Sequence, residues 1–256
     1  MDIQNKVFVV TGGASGLGAA TAEYLVQRGA QVAIVDMNAE LGEGFAKQLG
    51  EKASFNLVDV TDESQVATFY RSIEQKYAQL NGLINCAGVA PSAKVLGRDG
   101  LHDLALFQRV LNINVTGTFN MLRYAAELMA KYELNAPEEE RGVIINTASV
   151  AAFEGQIGQA AYAASKGAVG AMTLPLAREL AKNAIRVMTI APGIMETPML
   201  KALPQNVQDA LGQMVPFPAR LAKPSEYANL VGHIIENTYL NGEVIRLDGA
   251  IRMQAK

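Results

Sequence analysis

The sequence predicts an α/β fold, one doubly wound parallel sheet with helices on both faces, from three observations. Short apolar runs rich in Val and Ile alternate with amphipathic stretches of helical period along the whole chain. A glycine-rich turn follows the first run, and an acid ends the second. No Ser- or Pro-rich linker breaks the alternation, so residues 1–256 read as a single domain. Its cofactor-facing half covers about 1–150, and its catalytic and substrate half about 142–256.

Lys6 to Val10 is the first strand, with Val at positions 7, 9 and 10, as burial on both faces demands. It runs into Thr11-Gly12-Gly13-Ala14-Ser15-Gly16-Leu17-Gly18 and a helix from Ala19 to Gln27. Glycines permit a tight turn and let N–H groups at a helix N-terminus approach a pyrophosphate, a Rossmann-like arrangement. The second strand, Gln31 to Val35, delivers Asp36. A carboxylate there suits the ribose hydroxyls of NAD and repels the 2′-phosphate of NADP. Neither Ala14 nor Ser15 offers the cation an NADP site wants.

Ala39 to Leu49 reads as a helix closed by Gly50, and Ala53 to Leu57 as the third strand. Asp59-Val60 follow; Asp59 and Asp62 compete to cap the helix from Gln65 to Tyr77. The fourth strand, Leu80 to Ile84, delivers Asn85-Cys86-Ala87-Gly88, a small turn whose backbone can close against a nicotinamide ribose. Cys86, at the end of an apolar strand, reads as a small packing residue. Pro91 to Asp103 reads as a surface loop and its His102 as an exposed loop histidine. Leu104 to Arg123 is a long helical pattern containing Asn112-Ile113-Asn114. Asn is a poor helix former whose amide can replace a backbone bond.

Tyr132 to Arg141, with Glu138-Glu139-Glu140, reads as a solvated loop. Gly142 to Thr147 is the fifth strand. Ile185 to Ile190, the sixth, ends in Ala191-Pro192-Gly193 at the carboxyl edge of the sheet, where open α/β folds bind ligands. Met199 to Pro218, rich in Leu, Met and Pro, suits a lid over a variable substrate or an oligomer contact. A helix from Glu226 to Glu236 and a last strand from Asn241 to Leu247 complete the pattern.

Reactive chemistry concentrates between Asn146 and Lys166. Tyr162 and Lys166, four residues apart on a helix that reads through Leu180, share one face. A cation beside a phenol favours the phenolate and lowers its pKa, which makes a general base. Ser149 ends a buried strand, and its hydroxyl can hold the oxygen of an alcohol or ketone or bond to its own turn. Together they suit proton transfer at a carbonyl or alcohol.

Composition narrows the classes. The chain is 50% hydrophobic with a net charge of -3 and no basic block, which argues against nucleic acid or an anionic membrane as partner. No apolar run approaches the ~18 residues of a membrane span. One cysteine cannot form an internal disulfide, so a reducing compartment is expected. Met1 to Asn5 lead straight into the first strand without room for a targeting segment, which places the protein in the cytoplasm, or in the mitochondrial matrix if a presequence is removed. His102 reads as a loop residue and His233 lacks an acidic partner at metal-ligand spacing, so no metal is expected.

Gly12-x-x-x-Gly16-x-Gly18, Asn85-Cys86-Ala87-Gly88, Asn114, Ser149, Tyr162-x-x-x-Lys166 and Pro192-Gly193, in that order, resemble the motif set of the short-chain dehydrogenase/reductases over essentially the whole chain. Residues 141–162, 186–193 and 241–253 look like the type II 3-hydroxyacyl-CoA dehydrogenases within that family. The resemblance implies Ser149, Tyr162, Lys166 and Asn114 as catalytic residues, with Ser149 and Tyr162 on the substrate. It implies that Asn114 kinks its helix and holds a proton-relaying water. Gly12, Ser15, Gly16, Leu17, Gly18, Asp36, Asp59, Val60, Asn85, Cys86, Ala87, Gly88, Tyr162, Lys166, Pro192, Gly193, Met195 and Thr197 would bind NAD. It further implies an insertion at Pro91–Asp103, a homotetramer, and an NAD-dependent oxidoreductase of 3-hydroxyacyl-CoA, with hydroxysteroids or other secondary alcohols as further substrates. An NADPH-dependent 3-oxoacyl-carrier-protein reductase and a non-catalytic NAD sensor or scaffold stay open as alternatives.

Overall fold

The structure, a computed structural model, describes residues 1–98, 100–134, 136, 139–201 and 204–255. Its strands in chain order are β1 (Val7–Thr11), β2 (Gln31–Asp36), β3 (Ala53–Leu57), β4 (Gly82–Asn85), β5 (Leu96–Gly97), β6 (Gly100–Leu101), β7 (Gly142–Thr147), β8 (Ile185–Pro192) and β9 (Val244–Leu247). The α-helices are α1 (Gly16–Gln27), α2 (Ala39–Leu49), α3 (Glu63–Lys76), α4 (Leu104–Leu111), α5 (Thr118–Ala130), α6 (Ala160–Leu180), α7 (Pro198–Lys201), α8 (Gln205–Gln213) and α9 (Pro224–Glu236).

Among the described residues, seven strands form one parallel sheet in the order β3-β2-β1-β4-β7-β8-β9. The chain first builds outward from β1 to β3, then crosses back to place β4 on the other flank of β1. That reversal opens a crevice beyond the carboxyl ends of β1 and β4, where such folds take ligands. Period-two side chains feed two cores. Val7 and Val9 of β1 pack with α3, α5 and α6, whereas Phe8 and Val10 pack with α1 and α9. Burial on both faces is what the unbroken Val/Ile runs encode.

The expected long helix from Leu104 to Arg123 is divided. Residues Asn112–Gly117 form a π-helical turn between α4 and α5. Thr118 Oγ1 donates to the Asn114 carbonyl at 2.8 Å, a side chain inserted into the ladder, which is one physical origin of such a bulge. The 91–103 loop holds the small antiparallel β5–β6 ribbon.

Two local expectations change. His102 is half-buried: its Nδ1 lies 3.1 Å from the Ala93 carbonyl, and its ring meets Phe107 edge-on. Glu140 is not solvated. Its carboxylate takes the Met1 ammonium at 2.7 Å and Arg186 Nε at 2.5 Å, with only 11% of its side chain exposed. Arg186 also donates to the carbonyls of Ile234, Ile235, Asn237 and Leu240. Glu138 lies outside the described residues, and no helix among them is long and apolar enough to cross a membrane.

Candidate active site

A cavity of about 1050 Å³ covers the carboxyl ends of the central strands. At one end stands the turn between β1 and α1, whose Gly12, Ser15, Gly16, Leu17 and Gly18 line it. A β-carbon at Gly12 would lie 2.8 Å from the Ala87 nitrogen, and one at Gly18 only 2.2 Å from the Gly12 oxygen. Gly16 holds φ +55, the left-handed region. The turn therefore packs main chain on main chain, with the N-terminus of α1 opening on the cavity. First-turn N–H groups have no partner inside a helix. A dinucleotide pyrophosphate fits this cradle.

Asp36 ends β2 and lines the same end. Its carboxylate is fixed from both sides, accepting from Ala14 N at 3.1 Å and Asn38 N at 3.0 Å. Asp59 and Val60 line the cavity too. Asp59 accepts from Thr61 N and Oγ1 at 2.8 and 2.7 Å, whereas Asp62 caps α3 through Ser64 N and Gln65 N. The competition between the two acids resolves in favour of Asp62 as the cap.

Cys86, Ala87 and Gly88 line the middle of the cavity. Burial raises the Cys86 thiol, against smaller opposing effects of Tyr227, Thr147 and Lys166, so the thiol stays protonated and packs. Asn85 does not reach the cavity. It is 3% exposed, donates to Asn146 Oδ1 at 3.0 Å and accepts from Thr11 Oγ1 at 3.4 Å, tying three strand ends together. Pro192, Gly193, Met195 and Thr197 line the wall after β8, as expected.

Ser149, Tyr162 and Lys166 line one wall. Ser149 Oγ accepts from Ala151 N at 3.1 Å, so the turn bond exists beside any substrate role. Burial pushes the Tyr162 phenol above its ordinary value, and hydrogen bonding with Ser149 pulls it back in part. The expected lowering by Lys166 is not the net result. Lys166 Nζ donates to the Thr147 carbonyl at 2.7 Å and stands 5.9 Å from the Tyr162 ring centre, so desolvation dominates. Burial also draws the Lys166 ammonium down to about 8.

Asn114 is wholly buried and does not line the cavity. Its Oδ1 accepts from Val89 N at 2.8 Å, and its Nδ2 donates to Val89 O and Ser165 Oγ, both at 2.9 Å. Its neighbour Asn112 lines the cavity. The bulge rotates this stretch, and spacing alone carries no signal of that. Sequence reasoning also passed over Arg109, Gln156, Gln159 and Met253, all in the wall. Leu200 and Leu211 bring the expected lid stretch to the cavity, although Ala202 and Leu203 within it lie outside the described residues. Among the described residues no cluster of His, Cys, Asp and Glu is placed to hold a metal.

The comparisons with known proteins agree with this geometry. A family model described as short chain dehydrogenase matches residues 6–208. A 3-hydroxyacyl-CoA dehydrogenase type-2 of Drosophila melanogaster is 54% identical over 253 residues, covering 98% of this chain and 99% of that protein. The protein of the same name from Homo sapiens is 54% identical, covering 98% and 97%. The crystal structure of 3-hydroxyacyl-CoA dehydrogenase type-2 from Mycobacterium avium superposes with a TM-score of 0.91 at 38% identity, covering 98% of this chain and 97% of that one.

Proposed function

The chain belongs to the short chain dehydrogenase family, and from that premise we propose that it interconverts 3-hydroxyacyl-CoA and 3-ketoacyl-CoA thioesters with NAD. It is an oxidoreductase with a nicotinamide cofactor. The observation that carries the substrate class is the 54% identity to a relative of that name over 98% of the chain, so the variable segments are included as well as the family motifs. Support for NAD over NADP comes from Asp36, whose fixed carboxylate lines the cavity beside the glycine turn.

A bound nicotinamide supplies the acceptor for the hydride that leaves C3, and returns it in the reverse direction. The glycine turn and Asp36 would hold the dinucleotide, and Gly88, Pro192, Gly193 and Thr197 would contact its nicotinamide half. Ser149 and Tyr162 hydrogen-bond the 3-oxygen of the substrate. Tyr162 accepts the hydroxyl proton during oxidation and donates it during reduction. Burial draws the Lys166 ammonium down to about 8, so it stays largely cationic at neutral pH. Lys166 also holds the nicotinamide ribose. Asn114 acts as a positioning residue through its hold on Val89 and on Ser165, the neighbour of Lys166. The reading includes a cytoplasmic homotetramer (or one in the mitochondrial matrix), after the habit of the family and the single cysteine.

The test is the initial rate of NADH oxidation with acetoacetyl-CoA, measured beside NADPH and beside an acyl-carrier-protein thioester. The expected result favours NADH and the CoA ester by at least about tenfold. A preference for NADPH and the carrier protein would make the protein a reductase of fatty-acid synthesis. Tight NADH binding without turnover of any thioester would make it a sensor.

A further inference from the structure

The segment between Ser149 and Tyr162 is bound to the C-terminal tail. Met253 N donates to Glu154 Oε2 at 2.9 Å, Gln156 Nε2 to the Gln254 carbonyl at 3.2 Å, and Ile157 N to the Ala255 carbonyl at 3.0 Å. Charge reinforces this lacing. Arg246, at the end of the sheet in β9, pairs with Glu154 at 2.8 Å and Asp248 at 2.7 Å, and donates to the Ile251 carbonyl at 3.1 Å. Arg252 adds contacts to the same two acids at 3.4 and 3.2 Å. Arg246 also lies over the Phe153 ring, 5.2 Å from its centre. Ile251, just before, is 1% exposed and anchors the tail in the body of the domain.

Met253 is thus pinned on both sides, half-buried, and in the wall of the cavity with Gln156 and Gln159. A flexible apolar side chain on a fixed main chain makes an adjustable stop. Gln156 and Gln159 lie on the chain between Ser149 and Tyr162, the two residues assigned to the substrate oxygen, and all four line the same cavity as Met253.

We propose that Met253, clamped by the Glu154–Arg246 pair, is a specificity residue that limits the length of the acyl chain beyond C3. The inference rests on the acyl-CoA reading. Truncating the stop makes room for longer chains, and enlarging it excludes them.

The experiment compares kcat/KM for acetoacetyl-CoA and 3-ketopalmitoyl-CoA with NADH, in the full chain and in Met253→Ala, Met253→Trp and Glu154→Gln. Met253→Ala is expected to raise the long-to-short ratio about tenfold, and Met253→Trp to lower it by a similar factor. Glu154→Gln frees the tail and moves the ratio in the direction of Met253→Ala. An unchanged ratio in both Met253 variants overturns the inference, as does a KM shift equal for both chain lengths, which would place Met253 against the CoA moiety. If the unaltered protein turns over neither thioester, it is the acyl-CoA reading that fails. The same variants assayed on small and bulky ketones would then show whether Met253 limits substrate size, and an unchanged ratio there would overturn the inference as well.

Discussion

The two ends of the cavity are built from different materials. At the nucleotide end the glycine turn is main chain packed on main chain, with Gly12 against Ala87 and Gly18 against Gly12, so close that a single β-carbon has no room, and the Asp36 carboxylate stands beside it. At the substrate end the wall is side chain, with Leu211 beside Gln156 and Met253, whose two segments hydrogen bonds and ion pairs hold together. A main-chain wall presents only N–H and C=O groups and hardly varies with sequence, which suits a ligand common to a whole family. A side-chain wall can be retuned one residue at a time. Cofactor use and substrate choice are therefore separable in this fold, and Tyr162 and Lys166 stand where the two ends meet.

The largest effect is expected at that junction. Tyr162→Phe removes the proton carrier and should lower kcat by about a thousandfold, while NADH binding followed by fluorescence is retained. A variant keeping a substantial fraction of kcat would break the assignment. Lys166→Met should also collapse turnover, with a second signature in stability. The folded-state pKa of about 8 lies below the 10.5 of an exposed lysine, so the unfolded chain binds the proton more readily. Burial of the charge costs about 3 kcal/mol at pH 7, and the cost is relieved as pH rises from about 8 towards 10.5. Lys166→Met lacks that term. Its stability relative to the unaltered protein should be most favourable below pH 8 and fall back through that window. Parallel pH curves for the two proteins would show that Lys166 is not buried as a charge.

The comparison itself is sharpened by adding one methyl at the nucleotide end. A β-carbon at Gly18 would meet the Gly12 oxygen at 2.2 Å, so the backbone must shift. Gly18→Ala should weaken NADH binding at least tenfold and destabilise the fold by about 1–3 kcal/mol. Titration of NADH and thermal unfolding check both. If Gly18→Ala bound NADH normally, the nucleotide end would be as adjustable as the substrate end, and the contrast would be lost.

The same contrast explains what was legible in the sequence. The sheet, the glycine turn, Asp36 and the Ser149, Tyr162 and Lys166 wall all follow from local pattern, since each rests on residues close in the chain. The turn could be read because glycine announces a main-chain constraint directly. What escaped depends on distant partners. Glu140 is buried because Arg186 and the Met1 ammonium converge on it from 46 and 139 positions away. Met253 reaches the cavity because its nitrogen bonds Glu154, 99 positions back. The π-helical turn at Asn112–Gly117 has no signal in the spacing of Asn112 and Asn114. The Tyr162 phenol was expected low from its cationic neighbour, but burial, which spacing does not report, outweighs it.

The smallest effect concerns a pair outside both ends. Glu226, in the first turn of α9, accepts from Arg220 Nη1 and Nη2 at 2.9 and 2.7 Å and from Lys223 N at 2.7 Å. The Arg220 hydrogen bonds, with the Lys223 backbone second, pull its carboxyl down to about 2. Because that pKa lies below the unfolded value, the stabilisation is present above about 4.5 and fades as pH falls towards 2. Both partners are largely exposed, so solvent screens the pair and its worth is at most about 1 kcal/mol. Glu226→Gln should therefore lower the Tm at pH 7 by about 2–4 °C at most. The difference should shrink as the medium is acidified and as salt is added. A loss that persisted in acid would come from the capping of α9, since glutamine puts an NH2 donor where one carboxylate oxygen accepted.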